Sequence, residues 1–263
     1  MDLSICIVTM NHSALIKECL TSIYTNPPTN YLYEIIVVDN CSIDGTLEYL
    51  KTVSSCIPQI RIIENKKPKN FAENNNIAIR SGSGLIKLIL NPDTSVHTGT
   101  LDYMLSYLFN NHEVGAATCK LLYADGKFQE NARRFITLKY MFFSRLHTWN
   151  IYTNNSIIDD YVMSKPFDVE PKEVDYILGA CMFIKNEVFD TIGLFDERFL
   201  LYSEDTDLCY RIKKHGYSIM YVPDVSITHH YARTGANLFR KAAYIQLYTT
   251  FLFYAKHYWK IIK

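Results

Sequence analysis

The sequence predicts an α/β protein with a mainly parallel central sheet flanked by helices. Short apolar runs rich in branched residues, at positions 3–9, 34–38 and 60–63, alternate with stretches whose apolar residues recur at helical spacing. Such alternation is typical of right-handed βαβ units, which place successive strands parallel in one sheet. With 263 residues, the chain is long enough for one large domain or two small ones.

The elements of the amino-terminal half follow in strand and helix order. Helices are expected at 13–24, 46–51 and 72–80. Ser13 is the expected cap of the first helix. A fourth strand starts at Leu85 and stops at Asn91-Pro92. Because proline fixes its own φ and holds the preceding residue extended, the loop is expected to project Asp93 outward at the strand end.

The carboxyl-terminal half carries fewer regular signals. Residues 120–174 are aromatic and irregular, and form either a mobile lid over a cleft or an ordinary packed insertion. Residues 175–185 predict a strand pair or hairpin around Gly179-Ala180, and residues 186–192 a short helix. A helix of about three turns is then expected, capped by Ser203 and closed by Gly216, before a strand at 218–222.

Composition and charge exclude several classes of protein. Hydrophobic residues make up 48% of the chain and charged residues 21%, which is ordinary for a globular protein. Basic and acidic residues both number 27, so no general attraction to nucleic acid is expected. The seven cysteines are scattered without a C-x-x-C pair, which argues against a zinc site or a disulfide framework. Without a long apolar run or a signal-peptide pattern, a cytoplasmic location is expected.

Polar side chains follow the ends of three predicted strands. Thr9 and Asn11 end the first, Asp39 ends the second and Asp93 follows the fourth. Ligands of open α/β sheets bind at this edge, and carboxylate oxygens suit Mg²⁺ or Mn²⁺. The same residues are also ordinary turn formers, so the pattern alone leaves both interpretations open.

Acidic residues and a histidine pair mark the second half. Glu204, Asp205 and Asp207 occupy the first turn of a predicted helix, where they stabilise the helix dipole without any further role. Alternatively, one of them lies at a partly buried cleft wall, where it can accept a proton. His229-His230 follows another strand and could supply an imidazole metal ligand, although single histidines are more often structural.

The motifs IVTMN, VVDNCSIDGT, FAENNN and LILNPDT, in this order, resemble glycosyltransferase family 2, the inverting enzymes of GT-A fold, and especially its rhamnosyltransferase-like branch. The resemblance implies a catalytic domain over 1–235, with a nucleotide-sugar-binding half at 1–119 and an acceptor-side, catalytic-base half at 120–235. It implies that Thr9, Asn11 and Asp39 contact the nucleoside. It further implies that Asp93 meets the diphosphate and a divalent metal, Mg or Mn.

The resemblance also assigns roles further along the chain. Asp205 is the implied general base, with Glu204 supporting it, and His229 is the implied second metal ligand, with His230 as the alternate. Asn70 stands in Pro-Lys-Asn-Phe where the family commonly has Asn-x-Gly-Phe, and is implied to contact the donor. It can take the left-handed conformation that the family's glycine would supply. Arg233 falls near the implied diphosphate site.

The activity implied is transfer of a sugar, with rhamnose as the guess for the branch, from a dTDP- or UDP-sugar to a glycan or lipid-linked saccharide in cell-surface polysaccharide synthesis. The residues alone leave open a metal-dependent phosphohydrolase or a non-catalytic carbohydrate-binding module. Residues 236–263 form an aromatic and basic helix, which either packs on the sheet or makes a peripheral contact with the inner face of a membrane.

Overall fold

The structure, a computed structural model, describes residues 1–135, 140, 170–230 and 239–259. The described strands are β1 (Leu3–Thr9), β2 (Tyr33–Asp39), β3 (Ile60–Glu64), β4 (Ile86–Leu90), β5 (Thr94–Val96), β6 (Val114–Leu122), β7 (Phe128–Gln129), β8 (Ala132–Arg133), β9 (Lys172–Glu173), β10 (Tyr176–Ile177), β11 (Cys181–Lys185) and β12 (Ser218–His229). The described helices are α1 (Ser13–Thr25), α2 (Thr46–Cys56), α3 (Phe71–Ser81), α4 (Thr100–Asn110), α5 (Asn186–Ile192), α6 (Glu204–Lys214) and α7 (Phe239–His257).

The central sheet is parallel in its amino-terminal half and mixed beyond it. Its strand order is β3-β2-β1-β4-β11-β6-β12-β5, and the first four of these strands run parallel. β11 then enters between β4 and β6 and is antiparallel to both. The predicted fold class is therefore confirmed, and the parallel arrangement holds for the half in which strands and helices alternate.

Helices cover both faces of the sheet. Alternate residues of each strand face opposite sides, so Ile5 and Ile7 belong to one apolar cluster and Cys6 to the other. The first cluster packs against α1, α2 and α4, and the second against α3, α5 and α6. This arrangement leaves the carboxyl ends of the parallel strands as the open edge at which a ligand can bind. None of the described helices combines the length and apolar character that crossing a bilayer requires.

The expected hairpin at residues 175–185 is wrong. β10 pairs with β8 in a separate two-stranded sheet, whereas β11 belongs to the main sheet. The turn between them passes close to α3, since a Cβ built on Gly179 would lie 3.1 Å from the Phe71 ring. The local sequence showed both strands, but strand pairing depends on partners distant in the chain.

Two expected helix caps also differ in the structure. Ser13 is the first residue of α1, and the residue at the cap position is His12. Neither His12 nor Ser203, the cap residue of α6, makes a side-chain cap hydrogen bond, so the predicted serine caps are wrong. Ser203 has a left-handed backbone, with φ of 67°, whereas a serine that caps through its hydroxyl usually has an extended backbone. Asn70 is the true cap of α3, with φ of −76°, and not the left-handed residue that the sequence allowed.

The last predicted strand is longer than expected. The sequence predicts a strand at 218–222, whereas β12 continues to His229. The pairing of β12 with β6 shifts register between Val222 and Ser226, around Pro223, which has no N–H to donate. Pairing then resumes, which makes His229 the end of a strand rather than part of the following loop.

Candidate active site

Two buried polar side chains lie side by side where β1 and β2 end. Thr9 is paired with Asp39 in the parallel register, and both are shielded from solvent. Asp39 Oδ2 accepts a hydrogen bond from the Ser42 N–H at 3.0 Å, whereas Asp39 Oδ1 and Thr9 Oγ1 have no hydrogen-bond partner among the described residues. Because an unpaired buried polar atom costs about 1–3 kcal/mol, this pair indicates a site for a polar ligand.

Asn11 ties the two strand-end loops together. It has a left-handed backbone with φ of 57°, and its N–H donates to Ser42 Oγ at 2.9 Å. Its side-chain oxygen accepts from the Ile43 N–H at 2.8 Å. The structure therefore brings Thr9, Asn11 and Asp39 to one rim, with the Asn11 side chain holding the loop that follows Asp39.

A buried asparagine network, which the sequence analysis missed, supports the same rim. The Asn65 N–H donates to the Asp39 carbonyl at 3.0 Å. Its side-chain amide lies 3.0 Å from Asn40 Oδ1 and 2.6 Å from Asn74 Oδ1. The sequence did contain one sign of this network, three consecutive asparagines, Asn74-Asn75-Asn76, within a predicted helix. The structure shows that all three are buried.

Asn70 is occupied by structural contacts. It forms a reciprocal capping box with Glu73, in which each side chain accepts a hydrogen bond from the other residue's N–H at 2.9 Å. Its amide Nδ2 donates to the Glu197 carbonyl at 3.0 Å. The geometry gives Asn70 a clear role in starting α3, and its contact with a donor stays a prediction.

Asp93 and His229 approach each other across the sheet. β5 and β12 are antiparallel neighbours, and the distance between His229 Nε2 and Asp93 Oδ1 is 3.3 Å. His229 Nδ1 lies 2.8 Å from Gln129 Oε1, which can only accept a hydrogen bond. We therefore assign the proton of a neutral His229 to Nδ1, which leaves the lone pair on Nε2, on the side of Asp93.

This pair has the chemistry of a divalent-metal site. It combines a carboxylate oxygen with an imidazole nitrogen whose orientation is fixed by Gln129, as in many protein metal sites. Within the described part of the chain, no group of three or more His, Cys, Asp or Glu side chains could hold a metal ion. Asp93 and His229 would therefore form only part of a coordination shell.

The second histidine points elsewhere. His230 Nε2 lies 2.9 Å from Glu18 Oε1 on α1 and 3.2 Å from Ser95 Oγ. Its backbone N–H donates to the Asp93 carbonyl at 2.9 Å, so it helps to hold the loop. Of the two candidates, the structure thus places His229 beside Asp93.

Asp205 lies half-buried at the start of α6. Its Oδ1 accepts a hydrogen bond from the Thr206 N–H at 2.7 Å, and its Oδ2 accepts one from the Gly179 N–H at 3.3 Å. Burial raises the pKa of Asp205, although these hydrogen bonds and the positive charge of Arg133 oppose the rise. A carboxylate with a raised pKa is a stronger base, which suits removal of a proton from a hydroxyl.

One short segment links Asp205 to the Asp93 loop. Gly179 donates to the Asp205 carboxylate, and the carbonyl of the next residue, Ala180, accepts from the Asn91 N–H at 3.0 Å. Asp93 follows two residues after Asn91. The candidate base and the loop that carries Asp93 therefore contact two adjacent residues, Gly179 and Ala180.

Glu204 is a buried carboxyl group next to Asp205. Burial, together with the charge of Asp205, raises the pKa of Glu204 from its usual 4.5 to about 8. Its Oε2 atom has no hydrogen-bond partner in the described structure. At neutral pH, Glu204 therefore keeps its proton, so it does not add a second negative charge beside the candidate base.

Glu204→Gln is expected to make stability less sensitive to pH. The folded state keeps the Glu204 proton at pH values where the unfolded chain has lost it. The free energy of unfolding therefore falls as the pH rises from 4.5 to about 8, by up to about 1.4 kcal/mol per pH unit. Glutamine has no proton to lose, so thermal melts across this range should show a flatter slope and a higher Tm at the alkaline end.

The matched control for this measurement is Asp190→Asn, which changes an exposed carboxylate on α5. It should retain the wild-type pH dependence. If Glu204→Gln also retained that dependence, the burial argument for this carboxyl group would be wrong.

A buried ion cluster fixes α6 to α7. Asp207 accepts hydrogen bonds from Arg211 Nε at 2.8 Å, Lys256 Nζ at 2.6 Å and His257 Nε2 at 2.7 Å. Burial raises the pKa of Asp207, but the His257 hydrogen bond and the charges of Arg211 and Lys256 outweigh it and lower the pKa overall. The carboxyl-terminal helix α7 is thus attached to α6 at Asp207, two residues after Asp205.

Some sequence-based predictions fall outside the described residues. These are Arg233, predicted near a diphosphate, and most of the aromatic segment proposed as a lid.

Comparison with known proteins identifies the family of the chain. The model of the family described as Glycosyl transferase family 2 matches residues 4–192. The chain belongs to glycosyl transferase family 2. The resemblance seen in the sequence motifs is therefore confirmed, and family 2 membership favours glycosyl transfer over the two alternative classes.

Curated relatives include named rhamnosyltransferases. Rhamnosyltransferase WbbL of Escherichia coli is 25% identical over 270 residues, which cover 96% of this chain and 92% of that protein. The N-acetylglucosaminyl-diphospho-decaprenol L-rhamnosyltransferase of Mycobacterium tuberculosis is 25% identical over 215 residues, covering 76% of this chain and 67% of that protein. Another relative, the uncharacterized protein y4gI of Sinorhizobium fredii, is 27% identical, and the match spans 86% of this chain but only 24% of its own length.

Solved structures confirm the GT-A fold. The crystal structure of GalNAc-T7 with UDP, GalNAc and Mn²⁺ superposes with a TM-score of 0.66 at 16% identity, covering 87% of this chain and 44% of that chain. The predicted fold is thus supported by three-dimensional similarity as well as by the family match, while the roles of individual residues stay predictions.

Proposed function

We propose that this family 2 protein transfers a sugar, with inversion, from a nucleotide-diphosphate donor to a hydroxyl group of a glycan or lipid-linked saccharide. The observation that carries the proposal is the Gly179-Ala180 segment, which contacts the Asp205 carboxylate on one side and the Asp93 loop on the other. This link between the two regions supports the proposal, because transfer between two bound substrates requires a base close to the diphosphate site.

The donor would bind along the carboxyl ends of β1, β2 and β4. Asp39 Oδ1 can accept hydrogen bonds from a base N–H or a ribose hydroxyl, and Thr9 Oγ1 lies in the paired position. Asp93 and His229 would hold Mg²⁺ or Mn²⁺, which when bound would offset the negative charge on the departing diphosphate. The UDP and Mn²⁺ in GalNAc-T7 are in keeping with such a donor.

Asp205 would act on the acceptor. Its carboxylate would take the proton from the attacking hydroxyl as the new bond to the anomeric carbon forms and the bond to the diphosphate breaks. Protonated Glu204 would add no negative charge next to Asp205, and the charge of Asp207 is offset by Arg211 and Lys256. Attack from the side opposite the leaving group inverts the anomeric configuration.

The relatives suggest the chemical class of both substrates. Two are named rhamnosyltransferases, and one of these names specifies a lipid-linked saccharide, N-acetylglucosaminyl-diphospho-decaprenol. We therefore propose a dTDP- or UDP-sugar as donor, with rhamnose the first sugar to test, and a role in cell-surface polysaccharide synthesis.

Donor binding can be tested by thermal stabilisation. A nucleotide sugar present with Mn²⁺ at about a hundred times its Kd should raise the Tm by about 5 to 10 °C, because the ligand binds only the folded state. Asp39→Ala should weaken this binding by about ten- to a hundredfold, since it removes a hydrogen-bonded carboxylate.

The control is Asp190→Asn, which changes an exposed carboxylate on α5, at the edge of the sheet opposite the carboxyl ends of β1, β2 and β4. It should respond to the donor as the wild type does. If no dTDP-, UDP- or GDP-sugar raised the Tm of the wild type, donor binding at this edge would have to be abandoned.

A further inference from the structure

The carboxyl-terminal helix presents a row of large apolar side chains to solvent. Leu247, Tyr248, Phe251, Tyr258 and Trp259 are each between 48% and 62% exposed. Positions 247, 251 and 258 fall on one side of a helix, and the Tyr258 N–H donates to the Tyr254 carbonyl at 2.9 Å, so the helical path continues past His257. We call these five residues the aromatic face.

The opposite side of α7 is packed against the protein. Leu252 and Phe253 are buried in a small apolar cluster with Phe199. Lys256 and His257 hydrogen-bond to Asp207 of α6. The helix is therefore apolar on both sides, and its contacts with the body of the protein fix which side is turned outward. A soluble helix normally carries polar residues on its outward side.

The residues that follow Asp224 are more basic than the rest of the chain. The whole chain has no net charge, yet the segment after Asp224 contains six Lys or Arg residues and no Asp or Glu. Lys256 is paired with Asp196 and Asp207, so the attraction to an anionic surface comes from the net positive charge of the other five basic residues. Exposed tyrosine and tryptophan side chains favour the boundary between lipid head groups and acyl chains.

We propose that the aromatic face docks on an anionic phospholipid surface, with α7 lying flat along it. The described helices are unsuited to crossing a bilayer, so the contact is peripheral. Through the Asp207 cluster, docking would fix α6, and with it Asp205, relative to the membrane. The membrane contact stands apart from the proposed glycosyl transfer, although it would bring a lipid-linked acceptor within reach.

The test is co-sedimentation of the full chain with vesicles. Vesicles of phosphatidylcholine containing about one quarter phosphatidylglycerol should bind the wild type, and pure phosphatidylcholine vesicles should bind it at least about tenfold more weakly. The double variant Leu247→Glu and Phe251→Glu should lose binding to the anionic vesicles by at least about tenfold, because it places two carboxylates on the face that enters the lipid.

The matched control is Leu32→Glu, which changes a side chain that is 70% exposed where β2 begins. It should bind vesicles as the wild type does. The double variant should retain the wild-type Tm and nucleotide-sugar binding, which separates this proposal from that of the proposed function. Absence of wild-type binding, or equal binding by the double variant, would overturn the proposal. So would a dimer in solution that the double variant separates, since a second copy would then cover the aromatic face.

Discussion

Replacing Asp205 with asparagine is expected to slow sugar transfer by about a hundred- to ten-thousandfold while leaving donor binding nearly unchanged. Asparagine has the same shape as aspartate and can still accept the Thr206 N–H hydrogen bond, but it cannot take a proton from the acceptor. Asp205 contacts the Gly179 segment rather than the Asp39 rim, so donor affinity should persist. Transfer rates and donor Kd would be measured on the same preparation.

The transfer rate should also depend on pH through Asp205. Because the base must be ionised, and because burial raises the pKa of Asp205, the rate should fall as the pH drops through that pKa. Asp190→Asn again serves as the control and should transfer sugar at the wild-type rate. Normal turnover by Asp205→Asn together with lost donor binding would assign this residue to the donor site instead.

Removing the Asp93 carboxylate should abolish metal-dependent donor binding. Asp93→Ala takes away one of the two proposed protein ligands and leaves His229 alone, so Mn²⁺-dependent stabilisation by nucleotide sugars should be lost. Transfer should fall by at least about a hundredfold. Gln129→Leu tests the orientation of His229 and should weaken metal affinity by about ten- to a hundredfold. Titration calorimetry with Mn²⁺ and donor would measure both effects.

The neighbouring histidine provides the control for the metal site. His230→Ala removes a side chain that contacts Glu18 and Ser95, and it should keep Mn²⁺-dependent donor binding. If His230→Ala lost this binding while His229→Ala retained it, the assignment of the two histidines would be reversed. If Asp93→Ala bound donor and Mn²⁺ normally, the site would lie elsewhere.

Local patterns predicted elements whose signals lie within the elements themselves. The bounds of β1 and α5 were predicted as the structure has them, because an apolar run and a short helical pattern are each set by adjacent residues. Strand pairing could not be predicted in the same way. β11 joins the main sheet and β10 does not, and this depends on partners more than 40 residues away.

In the candidate site, likewise, the sequence predicted individual residues but not the distant residues that contact them. Asp39, Asp93, Asp205 and His229 were named because polar residues at strand ends and helix starts, together with the family motifs, mark them in the sequence. Their partners could not be named. Gln129 lies 100 residues from His229, and no local signal connects the two. Lys256 and His257 were likewise expected only as part of an aromatic, basic helix, not as partners of Asp207.

The short ladder between β8 and β10 bears on which part of the chain can vary in sequence. It pairs Ala132 with Ile177 and Arg133 with Tyr176. The residues on either side of the segment 134–175 are therefore hydrogen-bonded neighbours. A segment closed in this way can change in length and sequence at a small cost in loop-closure free energy. The length and sequence of residues 134–175 can therefore vary while β2 and β4, which position Asp39 and Asp93, stay as they are.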